Sequence, residues 1–103
     1  MSEYPKLSLF MTAYLYPYFD EEYGDEWGAL ARFVANDPSK AAALRSEIAR
    51  LLGQPDAESV AAHVILQEMV ACFDATLIGY TWRDWLTRVS DEAGRLAAHP
   101  GAA

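Results

Sequence analysis

Apolar residues recur at helical spacing along most of this chain, and no segment alternates with period two over the length of a strand. Leu7, Phe10, Met11, Tyr14, Leu15 and Tyr18 form a first stripe, and Pro17 ends or distorts that helix. Trp27, Leu30, Ala31 and Val34 form a second stripe, with Asp25 placed to cap it. Asn36-Asp37-Pro38 reads as a stop followed by a start. Asp37 suits an N-cap and Pro38 the first helical position. The third helix carries Ala41, Leu44, Ile48, Leu51 and Leu52 on one face, and Gly53 can close it in the left-handed conformation. A fourth helix is expected from Asp56 to Phe73, with Ala62, Leu66, Met69, Val70 and Phe73 on one side and Ile65 widening the stripe.

Asp74–Tyr80 reads as a connection in which Leu77 and Ile78 pack back on the core. Thr81-Trp82-Arg83-Asp84 has the form of a capping box with Asp in place of the usual Glu. It opens a fifth helix that buries Trp82, Trp85 or Leu86, Val89 and Leu96. Asp84 with Arg88, and Asp91 with Arg95, are four apart with the acid first, the better orientation for a surface pair. The tail 97–103 contains Pro100 and Gly101 and is expected to fray. The pattern therefore predicts an all-α fold, a compact single-domain bundle of about five helices over residues 1–103, with antiparallel neighbours joined by short connections.

Composition agrees with one modest core that needs no metal or disulfide staple, since 52% of the 103 residues are apolar. Cys72 is the sole cysteine, so no intrachain disulfide can form. Its apolar helical setting reads as that of a small core residue rather than a nucleophile. The apolar stretch Leu7–Tyr18 is too short to span a bilayer, follows a single base and runs into carboxylates, so a soluble, cytoplasmic protein is expected.

Charge changes the picture. The formal net charge is −7, of which −5 falls in residues 1–37 and −2 in residues 38–103. Nucleic acid and anionic membrane surfaces both need clustered Lys and Arg, so neither is an expected partner. A basic protein is compatible. The charge concentrates in residues 18–27, where Asp20, Glu21, Glu22, Asp25 and Glu26 are interleaved with Tyr18, Phe19, Tyr23 and Trp27 and no base occurs. Two readings are open. The run is a solvated loop whose rings turn inward, or it is a surface that captures a basic partner, with charge steering the approach and rings supplying contact.

Catalytic chemistry finds little support. His99 lies in the tail, and His63 has no Cys, Asp or Glu at ligand spacing on its helix face, so no metal and no cofactor are expected. No nucleophile elbow or phosphate-cradling loop is present. The paired carboxylates sit where a raised pKa is hard to sustain without burial. The chain reads as a non-enzyme.

Three segments, Tyr18-Phe19-Asp20-Glu21-Glu22-Tyr23-Gly24-Asp25, then Trp27 with Ala29-Leu30 and Phe33, and finally Gly79 with Arg83-Asp84-Trp85-Leu86, together resemble a family of small immunity proteins from contact-dependent growth inhibition systems, the CdiI type. The resemblance runs from near Leu7 to near Val89. At Tyr16-Pro17-Tyr18-Phe19 the chain departs from a His-Gln-Asp-Trp-like run that the family often carries there. The resemblance implies a helical inhibitor that binds a cognate toxin C-terminal domain in the producing cell, often a nuclease with a basic groove. The residues expected to meet that toxin are Asp20, Glu21, Glu22, Asp25 and Glu26 by charge, and Tyr16, Tyr18 and Tyr23 by ring contact. Gly24 is expected to make a positive-φ turn that aims the carboxylates. Trp85, Leu86 and Phe33 are expected in the core, and Trp27 either in the core or at its rim. The alternative function is a generic helical interaction or self-association module.

Overall fold

The computed structural model describes residues 3–98. Pro5 opens α1 (Pro5–Leu9), where its fixed φ suits a first turn. That helix widens into a π turn over Phe10–Tyr14, closed by the Leu15 amide donating to the Phe10 carbonyl at 3.1 Å. A short α2 (Phe19–Tyr23) and α3 (Glu26–Asn36) follow. The next helix is α4 (Ser39–Leu52), and then α5 (Ala57–Ala62) runs on as a second π segment over His63–Glu68. After a 3-10 turn at Ala75–Ile78, the chain ends its described part in α6 (Trp82–Ala98). Among the described residues there is no strand. The fold is all-α, as the hydrophobic spacing implies.

The long helices α4 and α6 lie against each other, and α1, α3 and α5 pack around them. The core takes Leu7, Phe10 and Met11 from the first helix, Leu30 and Phe33 from α3, and Leu44, Ile48 and Leu51 from α4. Ile65 joins from the second π segment, and Trp82, Trp85, Leu86 and Val89 from α6. Phe33, Trp85 and Leu86 are fully buried, as expected. Phe10 stacks on Trp85 with centroids 6.4 Å apart, and Trp82 meets Trp85 edge-on at 5.9 Å. Full burial of several large side chains in one cluster is the main source of stability in a chain this small.

Two helix starts are capped by carboxylates from elsewhere in the chain. Glu47 of α4, itself buried, accepts from the Lys6 and Leu7 amides at 2.9 Å each. Glu58 of α5 accepts from the Trp82 and Arg83 amides at 2.7 and 3.0 Å. Free N–H groups at a helix start need acceptors, and charged ones also answer the positive end of the helix dipole. The Thr81 hydroxyl caps the Asp84 amide at 3.1 Å as the sequence implies, and Glu58 satisfies the next two amides, those of Trp82 and Arg83.

Several expectations are corrected. Helix four ends at Glu68 rather than Phe73, because Val70 turns left-handed (φ 53°) and the Ala71 amide folds back to the Ile65 carbonyl at 3.0 Å. Cys72, past that end, is exposed rather than a core residue. Leu77 and Ile78 face solvent, because the short 3-10 turn buries Ala75 instead. Gly53 has φ −80° and is not left-handed. Arg95 pairs with Glu92 one turn before it, with Nε 2.9 Å from Oε1, rather than with Asp91. Arg88 lies 4.9 Å over the Trp27 ring and donates to the Tyr80 hydroxyl at 2.9 Å, rather than meeting Asp84. Ala97 and Ala98 still belong to α6, and residues 99–103, His99 included, lie outside the described residues.

Candidate functional site

The acidic run is a structured corner and not a loop. The Phe19 amide donates to the Tyr16 carbonyl and the Glu21 amide to the Tyr18 carbonyl, which starts α2 directly after Pro17. Asp20, Glu21 and Glu22 therefore occupy the first turn of α2, where negative charge is favoured. Gly24, at φ 86°, reverses the chain, and its amide closes on the Asp20 carbonyl at 3.1 Å. Asp25 is extended and caps α3 by accepting from the Gly28 amide at 2.8 Å. Gly28 has to be glycine. A Cβ there would sit 2.0 Å from the Tyr23 carbonyl oxygen, so the end of α2 lies directly on α3.

The tyrosines divide. Tyr18, which continues the first apolar stripe in the sequence, falls beyond the helix end and is 65% exposed. Tyr23 is half-buried and stacks on Tyr14, with centroids 6.1 Å apart. Tyr14 is held in turn by Asn36, whose Nδ2 donates to its hydroxyl at 2.8 Å, and by the edge of Phe33. Tyr16 donates its hydroxyl to Glu22. That bond to a carboxylate, with some desolvation and the negative charge beside it, pushes the Tyr16 phenol up to about 12. Tyr23 is raised as well, first by burial and then by the Glu22 charge.

Phe19 anchors α2 to the rest of the molecule. Its ring meets Phe73 edge-on at 5.8 Å, and Phe73 lies 5.1 Å from Trp85 in the core. Trp27 is intermediate, with Trp85 6.3 Å away on one side and the Arg88 guanidinium on the other, so it is a rim residue. Asp20, Glu21, Glu22 and Asp25 are exposed and Glu26 partly so. Among the described residues no ion pair engages any of these five side chains. A shallow open depression beside them is lined by Glu22, Tyr23, Gly28, Arg32 and Ala35. The corner thus gathers Asp20, Glu21, Glu22, Tyr16 and Tyr23 closely, with Asp25 and Glu26 at the start of α3 and Tyr18 at its outer side.

Sequence reasoning did not single out Tyr14, Asn36 or Gly28 as supports of this corner. A signal for Gly28 was available, since glycine early in a helix is unfavourable unless something approaches its backbone. Tyr14 carried none that separates it from an ordinary core residue.

The CdiI immunity protein family matches residues 3–93, from just before α1 into the last turns of α6. The chain belongs to that family. Its function is accordingly immunity, the neutralisation of a protein toxin. The match takes in the whole acidic corner and the Arg83-Asp84-Trp85-Leu86 segment. No curated protein and no solved structure matches the chain. Among the described residues no group of three His, Cys, Asp or Glu side chains could hold a metal ion, and no helix is long and apolar enough to cross a membrane.

Proposed function

We propose that this immunity protein is a stoichiometric, non-catalytic inhibitor that acts in the cytoplasm and uses the α2–α3 corner to bind a basic surface on its cognate toxin C-terminal domain. That surface is the substrate groove of a nuclease, where the inhibitor stands in for a polyanionic substrate. The observation that carries the reading is a corner with five carboxylates in solvent reach and, among the described residues, no cation paired to any of them. Isolated negative charges on a surface contribute little to folding, and like charges in one turn repel. Such an arrangement favours partner capture, because complementary charge accelerates encounter and excludes wrong partners.

The test is binding kinetics against an inactive form of the toxin domain at two salt concentrations. Asp25 is left intact, because it caps α3. Replacing Asp20, Glu21 and Glu22 with Lys should slow association by about tenfold or more and flatten its salt dependence, since steering falls within a Debye length of about 10 Å at moderate salt. Tyr23→Ala should act mainly by faster dissociation. Association that is unchanged in the triple lysine variant would leave the corner as a solvated structural turn.

A further inference from the structure

Besides the acidic corner, the molecule exposes large apolar side chains that its own fold does not cover. Val70 is 71% exposed, Leu77 81% and Ile78 53%. They belong to one connection, between the second π segment and α6, and the connection is rigidly built. The Asp74 carboxylate accepts from the Thr76 amide at 3.0 Å and from its hydroxyl at 2.6 Å. The Leu77 amide donates to the Asp74 carbonyl at 3.1 Å, and the Tyr80 amide to the Ala75 carbonyl at 3.2 Å. Phe73 and Ala75 are buried beneath. The turn therefore holds Leu77 and Ile78 outward instead of letting them collapse onto the core. Val70 is a β-branched residue in the left-handed region, an uncommon and strained state that clusters at binding sites.

The segment that carries this turn is tied to the acidic corner at its base. The Phe19–Phe73 ring contact at 5.8 Å joins the two. Tyr18 and Asp20 flank one of these rings in sequence. Val70 lies three residues from the other and Leu77 four, so their Cα atoms are within about 11 and 14 Å of that of Phe73. We infer that Val70, Leu77 and Ile78 form the apolar centre of the same docking surface for which the acidic corner is the charged flank, and that its occupant is the basic toxin domain, seated with an apolar ridge against this turn. The inference rests on the proposed inhibitory reading. Charge decides the occupant. A second copy seated here would bring two acidic corners together in a chain of net charge −7, whereas a basic partner gains at both parts of the surface. A dry apolar centre with a charged rim is the common anatomy of protein interfaces, and a pre-ordered turn loses little entropy on binding.

The experiment compares the wild type with Leu77→Ser/Ile78→Ser for binding to an inactive form of the cognate toxin C-terminal domain. Thermal melting and sedimentation are measured alongside. Both side chains are exposed, so the double variant should melt as the wild type does. Its dissociation should be at least about tenfold faster and its association within about twofold, the reverse of the lysine variant's pattern. Unchanged dissociation, with the lysine variant still slow to associate, overturns this inference and leaves the inhibitory reading standing. A wild-type dimer that the double variant dissolves, with toxin binding intact, assigns the turn to a second copy and also overturns it. No binding by the wild type removes both. Val70→Gly relieves the left-handed strain and removes the side chain. Tighter or equal binding by that variant counts against Val70 as part of the centre.

Discussion

The half of the molecule built on α4 and α6 and the half built on α2 and residues 69–80 follow different rules. In the first, helices are long, their starts are capped by Glu58 or an Asx-type bond at Asp37, and apolar residues go inside. In the second, helices are short and both incoming helices end in π turns. Three of the four positive-φ residues among those described, Gly24, Val70 and Gly79, lie there. That half also carries Asp20, Glu21 and Glu22, all exposed, and the exposed large apolar side chains Val70, Leu77 and Ile78. On the proposed reading, the contrast separates stability from recognition. Regular amphipathic packing fixes the frame, and irregular pieces hung on it by the Phe19–Phe73 and Tyr14–Tyr23 contacts present what a partner can touch.

The sharpest way to break this division is through Trp85, which touches both halves. Trp85→Ala should destabilise by about 3–5 kcal/mol, a large part of what a domain of this size has. Denaturant unfolding measures it. A variant that keeps its stability but loses its partner would move Trp85 from the frame to the binding surface.

Much of the frame was legible in the sequence because helical spacing and burial have one cause. Leu44, Ile48 and Leu51, or Trp82, Leu86 and Val89, fall on one side of a helix and can be nowhere but inside. The second half was legible only as composition. Spacing carries Met69 and Val70 onward in a helix, because nothing local shows that Val70 will turn left-handed. Leu77 and Ile78 read as core because apolar residues usually are, whereas the hydrogen-bonded turn from Asp74 to Tyr80 holds them out. The acidic run was visible as charge, but its geometry depends on Gly24 and on the close approach at Gly28. The Glu47 cap could not be read at all, since its partners are 40 and 41 residues away.

A smaller effect is expected within the frame. Glu47→Ala leaves the Lys6 and Leu7 amides without their acceptor, and should cost about 2–3 kcal/mol by denaturant unfolding. Toxin association should be unchanged. Slower association in this variant would show that α1 and the corner are coupled.

Gly28→Ala tests the corner from within. The added Cβ meets the Tyr23 carbonyl, so α2 must shift. The expected loss of stability is about 1–3 kcal/mol, as for other overpacked sites. Unlike Glu47→Ala, it should also slow toxin association, because the carboxylates move with α2. A variant as fast as the wild type would mean that their placement is not used.

The smallest effect concerns Tyr16. Its pKa is raised to about 12 in the folded protein, chiefly by the Glu22 bond. A raised pKa means that the bond's contribution is complete below the ordinary tyrosine value of about 10 and is lost as pH rises from there towards about 12. Ultraviolet titration should find Tyr16 ionising well above the ordinary tyrosine value, and Tyr16→Phe should remove that step and lower the melting temperature at neutral pH only slightly, because the bond is exposed. A Tyr16 that ionises with the rest would mean that Glu22 is free for the partner.

The Glu47 cap also sets an order in time. The amides of Lys6 and Leu7 emerge from the ribosome 41 and 40 residues before the carboxylate that satisfies them. At 5–20 residues per second that gap is roughly 2–8 s. For that interval the first helix has no acceptor at its start and, at five residues before its π turn, is too short to persist alone. The amino-terminal segment is therefore made first and settles late, when α4 arrives to receive it.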